Sequence, residues 1–375
     1  MQESLFDDDE PAMPGTLRPA ALRDRRLQQG DGHDAVEADA TAGATKPRRG
    51  KPDAVVRPAA PDAQLLALAN ELPGGVHLGT SSWFFPGWAG LVWDGVYPQA
   101  QLSRHGLAAY ARHPLLRTVS VDRSFYRPLT ALQYAAYAQQ VPDDFRFVVK
   151  APGLVSDVLV RDEEGRGMRT NPAFLDTPLA SREFVEPALE GLGTKLGALV
   201  FQLSPLPAGL LAQAPELLHR LRTMLSALPA LQPRAPDGVI AVEVRNPELL
   251  APAFADVLRD CGATYCLGLH AKMPPIEAQL PMLRALWPSP LVCRWSLNRR
   301  HGAYGYEEAK TLYEPFDRIV DADLPTREVL ARVIAGTVGA GRNAYVTANN
   351  KAEGSAPLTV LALAEEVRRL RRAGG

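Results

Sequence analysis

Cysteine is scarce in this chain: Cys261, Cys266 and Cys293 are the only three in 375 residues. Their number and spacing exclude a disulfide framework and a CxxC zinc site. An excess of one charge sign is also missing. The 41 basic side chains meet 42 acidic ones, for a formal net charge of -1, so direct nucleic-acid binding has no whole-chain electrostatic support. No apolar run approaches the roughly 18 residues of a membrane-spanning helix. The N-terminus, MQESLFDDDE, lacks the basic and apolar regions of a secretory signal. These absences predict a soluble, cytoplasmic protein with no membrane partner.

Sustained hydrophobic periodicity is lacking too, but only at the start. Through residue 61, blocks such as DDDEP, RDRR and KPRRGKP alternate in sign among Ala, Pro and Gly. Such a segment buries too little apolar surface to offset its ordering entropy, so residues 1–61 are expected to be a disordered tail. The stretch DAQLLALANEL, from Asp62 to Leu72, suits a short helix leading into a folded unit over 62–375.

From Val76 onward the pattern is regular. Eight apolar, β-type runs appear: VHLGTS, RTVSVD, FRFVVK, GALVFQL, VIAVEV, ATYCLGL, LVCRWS and AYVTAN. Amphipathic stretches such as LQYAAYAQQ, APELLHRLRTMLSAL, APAFADVLRD and TREVLARVIAGTVG separate them. Thr130 and Ser181 precede helical runs, and Gly262 and Gly341 follow them, as cap residues do. Apolar strands separated by helices predict a parallel sheet covered on both faces. The count and the span predict an α/β fold of the (β/α)8, TIM-like barrel type. An open doubly wound sheet is the alternative, but no GxGxxG turn follows the first strand.

In such barrels chemistry sits where the strands end. The first strand ends in Thr80, Ser81 and Trp83. The second delivers Ser120, Asp122 and Ser124 by period two, then Tyr126. Lys150 ends the third, Gln202 the fourth, and Glu243 and Arg245 share a face on the fifth. His270 and Lys272 follow the sixth, Arg294 lies on the seventh, and Asn349 and Asn350 end the eighth. Each has a plain structural reading. Glu243 and Arg245 suit a charged layer inside the barrel, Lys150 a solvent-seeking side chain, and Asn349-Asn350 a turn and helix cap. Their convergence on one rim favours a binding or catalytic pocket.

Several stretches resemble the YecE-like barrel family, a domain of unknown function (family seventy-two). They are HLGTSSWFFPGWAGLVWDGVYP, TVSVDRSFYRPLT, VPDDFRFVVKAPG, LGALVFQLSP, VIAVEVRNPEL and YVTANNKAEGSAP. They run in family order from Val76 to the C-terminal region. The resemblance implies a TIM-like barrel and no established reaction. Family positions are kept at Trp83, Phe125, Tyr126, Lys150, Gln202, Glu243, Arg245, Arg294 and Asn350. Departures fall in the second strand, where Ser120 and Asp122 stand for an acid and an asparagine. They fall also at Ser156 and Asp157, which replace a threonine-histidine pair, and after Arg294, where RWSLNRRHG lengthens the family's R-x-H-G.

The aromatic loop after the first strand lies on the expected catalytic face. Trp83 and Tyr126 are candidates to wall a pocket or stack on a planar or sugar-like ligand, whereas Trp88 and Trp93 are expected to pack the loop. Lys150, Arg245 and Arg294 against Glu243 form a cation excess suited to a small carboxylate or phosphate. Glu243 is the candidate acid/base and Lys150 the candidate electrophile, or a Schiff-base lysine if desolvated. Hydrolase or lyase chemistry fits such a set, and the residues leave open whether the protein is an enzyme. No cofactor is expected. The rim lacks a His-rich cluster, so no metal is expected, although a Glu and an Asp can hold Mg2+ weakly.

A second feature lies in the tail. QESLF resembles the sliding-clamp binding pentapeptide of bacteria: Gln2, Ser4, Leu5 and Phe6 match, and Glu3 departs. A tether offering a glutamine and a Leu-Phe pair suits an apolar groove. Two classes therefore stay open: an enzyme or binder of a small anionic or sugar-containing ligand, and a noncatalytic or nucleic-acid-associated scaffold recruited to the clamp.

Overall fold

Eight parallel strands close into a barrel in the computed structural model, which describes residues 55–162 and 167–374. In chain order the strands are β1 (Val76–Thr80), β2 (Leu116–Val121), β3 (Arg146–Lys150), β4 (Leu159–Arg161), β5 (Gly167–Thr170), β6 (Leu196–Gln202), β7 (Val239–Glu243), β8 (Thr264–Leu269), β9 (Leu291–Trp295) and β10 (Ala344–Ala348). The barrel order is β1-β10-β9-β8-β7-β6-β3-β2. All eight expected strands are present. The sequence reading missed β4 and β5, an antiparallel hairpin inserted after β3.

Two apolar layers explain why the strands are near-continuous hydrophobic runs. Val148, Ala198, Val200, Ala241, Cys266, Val292 and Tyr345 fill the barrel interior. Alternate residues, among them Phe147, Leu199, Phe201, Val242, Leu267 and Cys293, face the outer helices. A strand buried on both faces has no polar alternation to show.

The helices begin and end for local reasons. Asp62 caps Ala63–Glu71 through Leu65 N. Thr130 and Gln133 form a capping box at the start of Ala131–Ala138. Gly262 and Gly341 follow their helices with φ of 65° and 73°, a backbone state that favours glycine. Ser181 is not a cap. The helical run starts earlier, at Thr177, where Asp176 accepts from Leu179 N, and Ser181 opens a π-turn within it.

Residues 55–61, assigned to the tail from sequence, form a strap on the body. Val56 is buried, Ala59 N donates to Val92 O at 2.9 Å, and Asp94 N donates to Arg57 O at 3.1 Å. The strap thus runs along the loop that follows β1. The remainder of the expected tail, with Gln2, Ser4, Leu5 and Phe6, lies outside the described residues. Among the described residues, no helix is long and apolar enough to cross a membrane. Cys261, Cys266 and Cys293 are all free thiols.

Candidate functional site

Strand register builds the site. Ser120 pairs with Val148 across β2 and β3, so two residues on, Asp122 lies level with Lys150. Gln202 pairs with Glu243, and Arg294 stands between Gly268 and Thr347. These positions share the inward face of the barrel. In the eight-strand ring, β9 stands opposite β3 and three strands from both β2 and β6.

Arg294 spans that opening. Its Nη2 donates to Asp122 Oδ2 at 2.5 Å, and its Nη1 donates to Glu243 Oε2 and Gln202 Oε1, both at 2.7 Å. One guanidinium therefore ties β9 to β2, β6 and β7. Arg245 Nη2 lies 3.0 Å from Glu243 Oε1 and donates to Gln202 Oε1 at 3.2 Å. Burial opposes the charge on Arg294, but Asp122 and Glu243 outweigh it and hold the guanidinium protonated. Glu243 is fully buried, with each carboxylate oxygen turned to an arginine. Gly268 makes room for it: a Cβ there would lie 3.2 Å from Glu243 Oε1. Below the network, burial pushes the Cys266 thiol up, with Glu243 adding to the shift.

Asp122 is the more open carboxylate, with 16% of its side chain exposed against none for Glu243. Ser120 Oγ donates to Asp122 Oδ1 at 2.6 Å, so the departure in the second strand still delivers a carboxylate to Arg294, from two residues further along the same face. Lys150 is buried, with Nζ 4.0 Å from the centroid of the Phe125 ring. This contact desolvates the ammonium against an aromatic face. The expected solvent-seeking lysine is therefore not observed.

Of the two aromatic candidates, only Tyr126 is presented to solvent, edge-on to Phe125. Trp83 is buried edge-to-face against Tyr137 at 5.4 Å, so its ring is part of the packing and offers no open face for stacking. Trp88 and Trp93 are fully buried and stacked, as expected of loop anchors. Trp88 Nε1 donates to Asn350 Oδ1 at 3.1 Å, and Trp93 Nε1 donates to Phe85 O at 2.9 Å. Gly87 in this loop is a contact point: a Cβ there would sit 1.6 Å from Pro315 O.

The remaining candidates are occupied locally. Asn349 Nδ2 donates to Ser81 Oγ, while its Oδ1 accepts from Lys351 N, which makes it a turn cap. Asn350 Oδ1 accepts from Trp88 and from Ala356 N at the start of the last helix. Ser124 Oγ donates to Lys150 O, latching β2 to β3. Asp157 accepts from Arg161 and Leu159 N and so holds the hairpin, and Ser156 Oγ donates to Pro152 O. His301 lies 2.6 Å from the Tyr313 hydroxyl in a separate cluster. His270 Nδ1 accepts from Lys272 N, and its ring is tilted over Tyr306. Tyr306 also lies under Lys351, and its place near the mouth has no signal in the local sequence. Among the described residues, no three His, Cys, Asp or Glu side chains gather as metal ligands.

These features define a class: a (β/α)8 barrel with a buried ionic cluster at the end where such barrels place their sites. The sequence matches the family described as Protein of unknown function DUF72 over residues 77–373, and the chain belongs to that family, the one its motifs resemble. Similar solved structures include two crystal structures of a DUF72 family protein from Enterococcus faecalis. They are 17% and 18% identical, with TM-scores of 0.49 and 0.47, covering 78% and 79% of this chain and 95% and 97% of theirs. A DUF72 family protein from Thermotoga maritima is 20% identical with a TM-score of 0.43, covering 79% of this chain and 99% of its own. No curated protein matches.

Proposed function

We propose that the protein binds a small anionic ligand at the C-terminal mouth of its barrel and moves protons there. The observation that carries this reading is the burial of Lys150, Arg245 and Arg294 in one end of the barrel, each no more than 6% exposed. Buried cations are costly and unnecessary for packing. Guanidinium forks suit carboxylate or phosphate oxygens, and a desolvated lysine suits a developing negative charge.

The roles divide by exposure. Glu243 is fully buried between two arginines, so it positions Arg245 and Arg294. Asp122 is the carboxylate with access to solvent and takes the acid/base role first assigned to Glu243. Tyr126, at the rim, suits a sugar or planar part of the ligand. Hydrolase and lyase chemistry both use such a set. Calorimetric titration with inorganic phosphate, a dicarboxylate and a sugar phosphate tests the reading. At least one should bind, more weakly as salt is raised, and Lys150→Met should reduce its affinity at least ~10-fold. Absence of binding by all three would remove the support for an anion site.

We infer separately that the tail recruits the chain to the bacterial sliding clamp. The residues Gln2, Ser4, Leu5 and Phe6, four of the pentapeptide's five positions, support this. A Met1–Asp9 peptide should bind clamp, and changing Leu5 and Phe6 to alanine should abolish binding. No binding at about 100 µM clamp would sink recruitment.

A further inference from the structure

Away from the mouth, a groove of about 550 Å3 runs between the helices Ile276–Ala285 and Leu324–Gly339. Its floor is apolar, made by Leu280, Leu283, Val329 and Val333. At one end stands Trp287, 54% exposed. An indole left this open beside an apolar groove marks an interaction surface.

We propose that this face is a two-fold interface filled by a second copy of the same chain. The argument is charge self-complementarity. Glu277, Leu280 and Arg284 recur at spacings of three and four, so they form one stripe along the helix, and Trp287 follows two residues beyond its last turn. Glu277 lies in the first turn and Arg284 in the last. Neither side chain has a hydrogen-bond or ion-pair partner among the described residues. An isologous contact requires one patch to be complementary to itself. Two copies of this helix, antiparallel about an axis near Leu280, bring Glu277 of each opposite Arg284 of the other. The same axis sets each Trp287 against the first turn of the partner's helix. Exposed Gly336, on the facing helix, keeps the groove open beside the indole.

Sedimentation velocity on the full chain over a concentration series tests this. The wild type should show a reversible monomer-dimer equilibrium. Trp287→Glu should weaken it at least ~10-fold. Glu277→Arg and Arg284→Glu should each weaken it about 5-fold or more by placing like charges together, and the double exchange should restore it. The three substituted positions, Glu277, Arg284 and Trp287, are exposed, and thermal melts check that each variant keeps its fold. A chain that stays monomeric at about 100 µM, as it would if its own tail or another protein occupied the groove, overturns the proposal. So does a double exchange that fails to recover what the single changes lose.

Discussion

The two ends of the barrel interior are both polar, yet they are built differently. At the N-terminal end, His77 stacks on Tyr345 at 5.1 Å, and the Tyr345 hydroxyl donates to Asp237 O at 2.8 Å. Ion pairs here reach toward solvent: Arg146 to Asp237 at 2.6 Å, Arg117 to Asp144 at 3.0 Å and Lys195 to Asp143 at 3.4 Å, each acid at least 34% exposed, and Arg146 also donates to the carbonyls of Asp143 and Phe145. Neutral rings and main-chain acceptors close this end. At the C-terminal end, Asp122, Glu243, Arg245 and Arg294 meet in one ionic network, and Lys150 is buried at the end of β3. Closing a barrel needs only the first arrangement. Charges held together at the other end cost desolvation that packing would avoid, which is why the mouth reads as a site and the base as a plug.

The largest expected effect comes from breaking the hub of the mouth. Arg294→Met leaves Asp122, Glu243 and Gln202 without their shared donor, and removing one partner of a buried network costs about 3–5 kcal/mol. The matching change at the base, Asp237→Asn, acts on a side chain 34% exposed, where solvent screening limits the loss to about 1 kcal/mol or less. Urea denaturation of the two variants compares the ends directly. Equal losses, or a larger loss at the base, would erase the distinction.

The base should instead reveal itself through pH. Burial, with Arg117 and Arg146 nearby, lowers the pKa of His77 to about 4. A histidine depressed when folded favours the neutral form, so its contribution is present above the ordinary value near 6.5 and is lost as pH falls from there toward 4. At roughly 1.4 kcal/mol per unit the loss is at most about 3.5 kcal/mol. His113, also lowered to about 4 by burial, adds to the same slope. His77→Phe preserves ring stacking on Tyr345 and removes one titrating group. Its stability should fall less steeply than the parent's between pH 6.5 and 4, and an unchanged slope would show that His77 is not held neutral.

How far these ends were legible in the sequence follows from the same physics. Period two along β3, β7 and β9 placed Lys150, Glu243 and Arg294 on one inward face, because strand geometry is local. The partnership of Arg294 with Asp122 was not legible, since it depends on a side chain crossing the barrel between strands 172 residues apart. Trp83 sits at the end of a strand like the others, but its burial depends on Tyr137, in the helix after β2. The hairpin of β4 and β5 was missed because its strands, LVR and GMRT, are three and four residues long, too short to show a period. The strap was missed because Val55-Val56 is a single apolar pair among Pro and Ala, and nothing local signals that Val56 finds a core.

That strap gives the smallest effect and tests the mouth alone. Val56 is 5% exposed and touches the end of the barrel that carries the aromatic loop. Burying a valine contributes about 1.5–3 kcal/mol, and the two main-chain bonds to Val92 and Asp94 add modestly. Deletion of residues 1–54 should leave the melting point unchanged. Deletion of residues 1–61 should cost about 2 kcal/mol and expose Trp93, which pairs with Pro58 in an isolated bridge. Hydrogen exchange locates the loss: amides in the loop from Phe85 to Asp94 should open in the longer deletion, while those of β3 and β10 at the base keep their protection. Loss of protection at both ends would mean that the strap supports the whole barrel, and no loss at either would mean that Val56 is dispensable where it lies.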